Sequence, residues 1–567
     1  MRSLITSVFV LLLFVAPPSY GRKHKKEAAY SINYVSIRNG AEVPGRSMKV
    51  KYANQVAYLS ENGDKIRSYI DYGTHQTVTI LNYEDELFKT LTAFDALPQP
   101  QLGDKEETIL GYKCQYAKLS SFSNTIELWY TDQAGAKGSP YQGYLPDSNS
   151  LVLKVTINGN RTLVAKSIDK LAADSIPAYP LEEATEVTVA ELEELKIKSR
   201  YTVLPVFEDE IINFENLPET YEGQTLESNR TYRFSKGSVI MKKVTLPESW
   251  KAGGQVFAKL TSWSNGDAYD RTGSIFVLPA SHNKKTILAA LQNGLDELPV
   301  FTDNNGAEYQ GITSTTNYDS PIEIMRFFTS FGVGHFNKLR EINNYPWTFK
   351  ATYKQEVTPL IPNDDEEIWI GVFIGNYDKG GHKVDLELDF YPGFEKEAPA
   401  KKYIQPLFYS VNIMEMSGQN YGRLFRNDTL TVEFEVPENV ENVQLLYTST
   451  GHGGWGGGDE FNPKLNEVFI DDEPIYNVVP WRTDCATYRF LNPASGNFGN
   501  GLSSSDLSRS NWCPATLTPP DLIPLPNFAP GKHTIKVVID QGADEGSSFS
   551  HWSVAGVLTG NYKNDSK

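Results

Sequence analysis

Apolar and polar side chains alternate with a period of two through almost the whole of this 567-residue chain. Successive side chains of a β-strand point to opposite faces, so this period is typical of half-buried strands, whereas amphipathic helices repeat about every 3.6 residues. Turn signals separate the alternating segments, as Asn158-Gly159 does between residues 151–157 and 161–166. The pattern therefore predicts an all-β protein built from antiparallel strands.

The predicted strands fall into three groups along the chain. Residues 22–180 contain the segments 48–52, 56–59, 66–72, 77–81, 125–130, 151–157 and 161–166. Residues 206–395 contain 239–246, 255–260, 274–278, 322–329, 368–374 and 384–390, and residues 396–567 contain 429–436, 443–449, 468–470, 533–539 and 552–559. Two sets of about eight strands with long loops predict two adjacent antiparallel jelly-roll or sandwich domains, preceded by an N-terminal antiparallel β domain.

One segment has the helical period instead. Val189, Leu192 and Leu195 recur on one face, and Thr188 with Glu191 has the pattern of a capping box. Prolines and acidic residues precede this helix. We therefore expect residues 181–205 to be a linker with a short helix between the N-terminal domain and the first jelly roll.

The N-terminus has the features of a secretory signal. Arg2 supplies a positive charge, residues 4–16 are apolar, and Ser19-Tyr20-Gly21 has the small-x-small pattern of a cleavage site. The apolar run is too short to span a bilayer. We expect residues 1–21 to be a signal peptide and the mature protein to be exported, periplasmic or secreted, without an integral membrane segment.

Composition limits the partners. The chain has 53 Lys and Arg against 70 Asp and Glu, a net charge of −17. Nucleic-acid binding needs a basic face, so no nucleic-acid partner is expected. Apolar residues make up 40% and aromatic residues 12%, which is enough to bury large cores. The protein is predicted to be a monomer.

The chain contains three cysteines, Cys114, Cys485 and Cys513. Export permits disulfides. Cys485 and Cys513 share one C-terminal segment rich in Ser, Asn and Gly, and we expect them to pair. Closing that loop would stabilise the fold by roughly 3–4 kcal/mol in the chain-entropy description. Cys114 is then expected to be a free, buried thiol in a strand.

The sequence patterns of metal and nucleotide sites are missing. The eight histidines are scattered, with no His-Glu-x-x-His and no cysteine pair at zinc spacing. EF-hand, P-loop and Gly-x-Ser-x-Gly patterns are also missing. We therefore expect neither a metal nor an organic cofactor, and if the chain is an enzyme, its chemistry should rest on carboxylates and water.

A glycine-rich segment, residues 451–461, has six glycines in eleven residues. Such a backbone bends sharply and approaches a ligand closely. The segment carries His452 and Trp455 and ends in Asp459-Glu460-Phe461, which places carboxylates beside aromatic rings, as a sugar-handling site requires. The alternative is a surface loop with a solvated acid.

Two further segments carry candidate residues. Residues 263–271 form a turn that ends in Tyr269-Asp270-Arg271. Asp270 and Glu460 in one cleft would push each other's pKa values apart, so that one holds a proton while the other accepts one. The alternative is a loop with an ion pair.

The third segment, residues 509–514, has Arg509 and Trp512 directly before Cys513. The tryptophan, fixed by the adjacent disulfide, is a candidate platform for stacking a sugar, and Arg509 is a candidate donor to an amide or carboxylate oxygen. The alternative is that Trp512 packs on the disulfide.

These three segments, in this order, resemble a known family. The chain is similar to the peptide-N-glycosidase F family, bacterial amidases that remove whole N-glycans from asparagine, over roughly residues 225–562. Asp270-Arg271 matches the family's Asp-Arg after an aromatic residue, and Glu460-Phe461 matches its Glu followed by an aromatic residue. Residues 325–329 match its Arg-Phe-x-Thr strand, and residues 509–514 match its Arg-x-x-Trp-Cys-Pro segment. The N-terminal domain resembles the extra bowl-like domain of some members.

The resemblance implies a site between two jelly rolls, with Asp270 as the principal catalytic residue and Glu460 assisting it. It also supports the pairing of Cys485 with Cys513. The implied reaction hydrolyses the amide between N-acetylglucosamine and the Asn side chain of N-glycopeptides and glycoproteins, releasing the glycan as a glycosylamine and converting Asn to Asp. The substrate-binding residues would be Arg271, Tyr269, Trp455, His452, Asp459, Phe461, Arg509 and Trp512.

The sequence departs from the family pattern at two places. The family flanks its Asp with cysteines, but the loop before Asp270 has none. The family also has a third acid on a later strand, whereas residues 371–377 carry none, which leaves the neighbouring Asp378 as a candidate. Two alternative functions remain: a glycoside hydrolase that uses the same two carboxylates, and a non-catalytic carbohydrate-binding protein.

Overall fold

The computed structural model describes residues 28–60, 65–172, 178–217, 220–280, 284–332, 347–393, 399–453, 457–495, 504–543 and 549–563. Contacts divide the chain into two compact units, Met1–Ser199 and Arg200–Lys567. The predicted signal peptide and the turn at residues 61–64 lie outside the described residues. None of the helices in the described part is long and apolar enough to cross a membrane.

The first unit is built on a sheet of twelve strands, ordered β12-β6-β5-β4-β3-β2-β1-β11-β10-β9-β8-β7. All pairs are antiparallel except that of β12 with β6, which is parallel. The strands are β1 (Ala29–Arg38), β2 (Ala41–Ala53), β3 (Val56–Ser60), β4 (Ile66–Asp71), β5 (Gln76–Tyr83), β6 (Glu86–Ala93), β7 (Gln101–Ile109), β8 (Tyr112–Ser121), β9 (Asn124–Thr131), β10 (Leu151–Ile157), β11 (Arg161–Leu171) and β12 (Thr185–Glu186).

This strand order forces the sheet to curl. Strands β6 and β7 lie ten positions apart in the sheet, yet residues 94–100 alone connect them. Ten positions in a flat sheet would separate the strands by roughly 48 Å. The connecting chain spans at most about 28 Å. The two sides of the sheet must therefore bend toward each other, which produces a bowl.

Both faces of the curled sheet are covered by apolar packing. In β9, Trp129 belongs to one buried cluster, whereas the neighbouring Leu128 and Tyr130 belong to another, as alternation along a strand requires. Cys114 in β8 is fully buried in the first cluster and is a free thiol, as predicted. Burial raises the pKa of this thiol, which favours an inert structural cysteine.

The predicted helix is present as α1 (Val189–Lys198). Its capping box is formed, because Thr188 Oγ1 accepts from the N–H of Glu191 at 3.2 Å and Glu191 Oε2 accepts from the N–H of Thr188 at 2.8 Å. This segment is not a free linker. Strand β12 pairs with β6, α1 contacts β5 and β6, and Leu192 is buried. A two-residue strand is too short to leave a periodic signal in the sequence, and the proposed domain boundaries stay predictions.

In the second unit, the described residues contain the remaining strands and two more helices, α2 (Ile287–Asn293) and α3 (Leu424–Asn427). Every predicted strand of this part overlaps an observed one. The strands are β13 (Thr202–Ile212), β14 (Thr231–Phe234), β15 (Val239–Thr245), β16 (Gly254–Ser264), β17 (Thr272–Pro279), β18 (Val300–Thr302), β19 (Glu308–Gln310), β20 (Ile322–Phe328), β21 (Ala351–Glu356), β22 (Glu367–Ile374), β23 (His382–Pro392), β24 (Lys402–Tyr409), β25 (Leu430–Val436), β26 (Val440–His452), β27 (Asn466–Ile470), β28 (Glu473–Val478), β29 (Leu517–Thr518), β30 (Asp521–Pro524), β31 (Gly531–Ile539) and β32 (His551–Tyr562).

These strands form two sandwiches. In the first sandwich, the sheet β13-β23-β16-β21 packs on the sheet β14-β15-β22-β17-β20-β29. In the second, β24-β32-β26-β30 packs on β25-β31-β27-β28. Strands β18 and β19 form a separate pair. The protein is thus all-β, as the sequence predicts, with two side-by-side antiparallel sandwiches after the N-terminal sheet.

A buried ion pair joins the two sandwiches. Arg326 on β20 is 1% exposed, and its Nε and Nη2 donate to both carboxylate oxygens of Glu323 at 2.7 and 2.9 Å. Its Nη1 crosses to the second sandwich and donates to Thr450 Oγ1 at 2.8 Å and to the carbonyl of Ser553 at 3.1 Å. Leu446 and other apolar side chains of the second sandwich also enter the core of the first. The junction is therefore both apolar and charge-specific.

We expect Arg326→Met to destabilise the second unit by about 3–5 kcal/mol, because it leaves the Glu323 carboxylate buried without its cation. The change is measured by urea unfolding of the purified protein. Adding Glu323→Gln to this variant should restore part of the loss, since the unpaired charge is then gone. A double variant no more stable than the single one would contradict this account of the junction.

Candidate active site

The loop between β16 and β17 places Asp270 at the junction of the two sandwiches. Its carboxylate is 18% exposed, and Oδ2 lies 3.2 Å from Nη1 of Arg509, which belongs to the chain of the second sandwich. The two residues are 239 positions apart in the sequence. A contact over that separation depends on the tertiary fold, and residue spacing alone does not predict it.

Glu460 reaches the same arginine from the other side. It follows β26 and the glycine-rich segment, and its N–H donates to the carbonyl of Gly453 at 3.4 Å. Gly453 has φ +87°, and a Cβ there would lie 2.1 Å from the carbonyl oxygen of Phe549, so this position requires glycine. The Glu460 carboxylate is 19% exposed, and its Oε1 accepts from Arg509 Nη1 at 2.5 Å.

Arg509 is the centre of this arrangement and is only 2% exposed. Nη1 contacts both carboxylates, and Nη2 donates to the carbonyl of Ser504 at 2.8 Å. The guanidinium lies 4.4 Å from the ring centre of Trp512 and 5.1 Å from that of Phe461, which adds cation–π attraction. The expected disulfide between Cys485 and Cys513 is present and fixes the segment that carries the arginine.

Two carboxylates around one buried cation retain a proton more readily than they would in water. Burial raises the pKa of Asp270 above its ordinary value, and Arg509 opposes this only in part. Burial also raises the pKa of Glu460 to about 7; Arg509 lowers it and the Asp270 charge raises it. The pair therefore holds one acid and one base near neutral pH, the arrangement that acid–base chemistry needs.

Three family models match this chain. The model described as "Peptide-N-glycosidase F, N terminal" matches residues 203–390, and that described as "Peptide-N-glycosidase F, C terminal" matches residues 420–559. A third, "N-glycanase peptide, N-terminal domain", matches residues 70–195. Together these matches cover most of the chain. The chain belongs to the peptide-N-glycosidase F family.

Solved structures support the family. PNGF-II in the P21 space group is 39% identical with a TM-score of 0.83, over 94% of this chain and 100% of that one. PNGF-II in the C2 space group is 38% identical with a TM-score of 0.79, over 95% and 99% of the two chains. PNGase F from Flavobacterium meningosepticum is 13% identical with a TM-score of 0.41, over 64% and 96%, too low to compare sites. A comparison with curated proteins finds no match.

Within this family member, three other predicted residues lie at the same junction. Tyr269 directly precedes Asp270 and is 58% exposed. The guanidinium of Arg271 lies 4.8 Å from the centre of the Tyr269 ring. Phe461 is half-buried and contacts Arg509 through its ring. Tyr269 and Arg271 thus present an aromatic face and a cation beside the Asp270 carboxylate.

Trp512 does not form the exposed platform that the sequence suggested. It is 3% exposed, its ring stacks on Phe328 with centres 4.4 Å apart, and its indole N–H donates to the carbonyl of Gly451 at 2.9 Å. Trp512 is therefore a packed side chain, but the stacked contact that the structure gives for its ring is Phe328 and not the disulfide. The buried ring packs against the guanidinium of Arg509. Its large aromatic area is thereby removed from water, which stabilises the fold.

Two residues of the glycine-rich segment that were predicted to bind substrate, His452 and Asp459, are instead buried. His452 is 6% exposed and stacks on His551 with ring centres 5.0 Å apart. Burial first, then the charges around it, hold the pKa of His452 well below its ordinary value. Asp459 is fully buried, and its Oδ2 accepts from the indole N–H of Trp552 and the N–H of Gly542, both at 2.9 Å. Trp455 lies outside the described residues.

Two further acids of the first sandwich make contacts that the sequence did not predict. Asp378, the candidate for the family's third acid, accepts from the N–H groups of Gly380 and Gly381 at 2.7 and 3.1 Å and so closes a turn. Asp267 is 1% exposed and binds the side chain of Arg271. The sequence does not predict either role, because an acid that closes a turn and an acid that binds a cation have the same local sequence pattern.

The raised pKa of Glu460 should make the free energy of unfolding depend on pH. Between pH 4.5 and 7 the folded chain keeps a proton that the unfolded chain has lost, so stability falls as pH rises through this window. Glu460→Gln removes this loss. We expect the variant to be as stable as the wild type at pH 4 and more stable at pH 8, by at most about 3 kcal/mol. Urea unfolding at the two pH values measures it.

Glu435→Gln on β25 is the matched control, because that side chain is exposed and remote from Arg509. Its stability relative to the wild type should not change between the two pH values. A Glu460→Gln variant that is less stable than the wild type at pH 8 would show that the ionised carboxylate stabilises the site.

Proposed function

We propose that this protein hydrolyses the amide bond between N-acetylglucosamine and the Asn side chain of N-glycopeptides and glycoproteins. The products are a glycosylamine carrying the whole glycan and a peptide with Asp in place of Asn. One observation carries the proposal: Asp270 and Glu460, from different sandwiches, converge on the same buried arginine. Membership of the peptide-N-glycosidase F family supports the substrate class.

In the proposed reaction, Asp270 acts as the base. Its ionised carboxylate accepts a proton from a water molecule, and the water oxygen bonds to the carbonyl carbon of the Asn side chain. The Asp270 side chain is 18% exposed, so it is open to a water molecule. A positioned base of this kind contributes roughly 10²–10⁴-fold to the rate. Arg509 contacts this carboxylate and opposes the rise in its pKa that burial causes.

Glu460 is the proposed acid. The bond between the carbonyl carbon and the glycosylamine nitrogen breaks only as that nitrogen gains a proton, because an amide anion is a very poor leaving group. A carboxyl with a pKa of about 7 still holds a proton in a large fraction of molecules at neutral pH. The two carboxyls thus take opposite roles although both contact the same cation.

The negative charge that develops on the carbonyl oxygen needs donors at that position. Arg271 is the candidate among the described residues, because its guanidinium lies beside Asp270 and is 23% exposed. Arg509 is less suited, since its side chain is only 2% exposed. The exposed ring of Tyr269 is the proposed surface for the first sugar.

The decisive experiment follows the bond that is cleaved. The mature protein is incubated with a glycopeptide in ¹⁸O-water, and the peptide is analysed by mass spectrometry. Amide hydrolysis leaves Asp with one heavy oxygen. A glycoside hydrolase that cuts between the two core sugars leaves Asn with one N-acetylglucosamine, and a binding protein leaves the glycopeptide unchanged. Either of these two outcomes would overturn the proposal.

Asp270→Asn should reduce kcat by at least about 10²-fold, because the amide cannot accept the proton from water. The fold should be retained, since Asn still accepts from Arg509. The control is Asp385→Asn on β23, a half-exposed acid that accepts from the N–H of Asp209. The initial rate of glycan release measures both variants, and an Asp270→Asn enzyme with the activity of the control would rule out this residue as the base.

A further inference from the structure

The loop that carries Asp270 is wrapped around a different acid, Asp267. Its carboxylate is buried, with 1% exposed, and it receives three N–H groups. Oδ1 accepts from the N–H of Tyr269 at 3.0 Å and from Arg271 Nη2 at 3.3 Å, and Oδ2 accepts from Arg271 Nε at 2.8 Å. The residues on both sides of Asp270 are therefore bound to the same carboxylate.

The surroundings of Asp267 keep it ionised. Burial alone would raise its pKa, but His382 and Arg271 outweigh burial and hold the pKa at about 2. The imidazole Nε2 of His382 lies 3.6 Å from Oδ2. The backbone of Asp267 is also anchored, since its N–H donates to the carbonyl of Gly381 and its carbonyl accepts from Ser264 Oγ at 2.6 Å. The carboxylate is thus a fixed anion over the whole neutral range.

A second contact holds the same two residues from the opposite side. Thr329, directly after β20, is fully buried. Its Oγ1 accepts from the N–H of Arg271 at 2.7 Å and donates to the carbonyl of Tyr269 at 3.1 Å. Its own N–H donates to the carbonyl of Arg271 at 3.0 Å. Asp270 lies between two residues that are each held by both Asp267 and Thr329.

We propose that Asp267 is a positioning residue, which acts through Tyr269 and Arg271 to aim the Asp270 carboxylate at the reacting carbonyl. This inference rests on the proposed amide hydrolysis. The loop contains Gly266, at φ +145°, and has no cysteine, so nothing covalent restricts its conformations. A misplacement of a reacting group by about 1 Å can cost on the order of 10²-fold in rate. Asp267 supplies the restraint with one charge and three hydrogen bonds.

The test is Asp267→Asn, which keeps the volume and one acceptor but removes the anion that binds Arg271. We expect kcat on a glycopeptide to fall by about 10–10²-fold while KM changes by less than about threefold, because the loss lies in the alignment of Asp270. The matched control is Asp389→Asn. That aspartate on β23 is also 1% exposed and is also bound to one cation, Lys354, at 2.6 Å, but it does not contact the loop.

The comparison separates alignment from general stability. Both variants should lose stability in urea unfolding, but only Asp267→Asn should lose kcat under conditions where the protein stays folded. Equal kcat in the two variants, or a loss confined to KM, would overturn the role of Asp267. An inactive wild type would instead overturn the proposed function, so the two failures are distinguishable.

A second variant covers the case in which Asp267→Asn does not fold. Thr329→Val keeps the shape of the side chain but removes the hydroxyl that binds Tyr269 and Arg271, and it should lower kcat by about tenfold. The control is Thr559→Val on β32, where the threonine is equally buried and Oγ1 has no hydrogen-bond partner among the described residues. Full activity in Thr329→Val would show that holding these two residues does not align Asp270, and the proposal would fail.

Discussion

The candidate site depends on one buried cation. Arg509 is 2% exposed and is the only contact that the structure gives between Asp270 and Glu460 within the described residues. Without a cation at this point, two carboxylates would meet in a buried position and repel each other. The disulfide at Cys513, the ring of Trp512 and the ladder between Arg482 and Arg509 all serve to place this guanidinium.

The arrangement that suits acid–base chemistry also lowers the stability of the folded chain at neutral pH. A single positive charge does not balance two carboxylates, and burial, with the Asp270 charge as a smaller cause, raises the pKa of Glu460 in spite of Arg509. The other buried arginine of the junction, Arg326, is in a balanced environment. It contacts one carboxylate and two neutral oxygens, so one negative charge faces its one positive charge. Buried ionic groups at the junction therefore differ in purpose. The balanced pair joins the sandwiches, and the unbalanced trio keeps a proton available.

The sequence predicted the strands well, because a period of two with turn residues between segments is a local property. It also identified Asp270, Glu460 and Arg509, whose convergence the structure shows. It misplaced Trp512 and Asp459, since an aromatic or acidic residue next to a catalytic candidate has the same local pattern whether it faces a cleft or a core. The environment of these side chains is set by residues remote in the sequence: Trp512 stacks on Phe328, and Asp459 binds Trp552, 93 positions away. A local pattern does not contain that information.

The position of the site at a junction links folding to chemistry. Asp270 belongs to the first sandwich, whereas Glu460 and Arg509 belong to the chain of the second, so neither sandwich alone contains both carboxylates and the cation. Within the first sandwich, Asp267 and Thr329 bind the residues on both sides of Asp270. The loop of Asp270 is thus held by contacts within its own sandwich, whereas the charge beside its carboxylate comes from the chain of the other. A shift of one sandwich against the other would change the pKa values of both carboxyls without breaking a single strand.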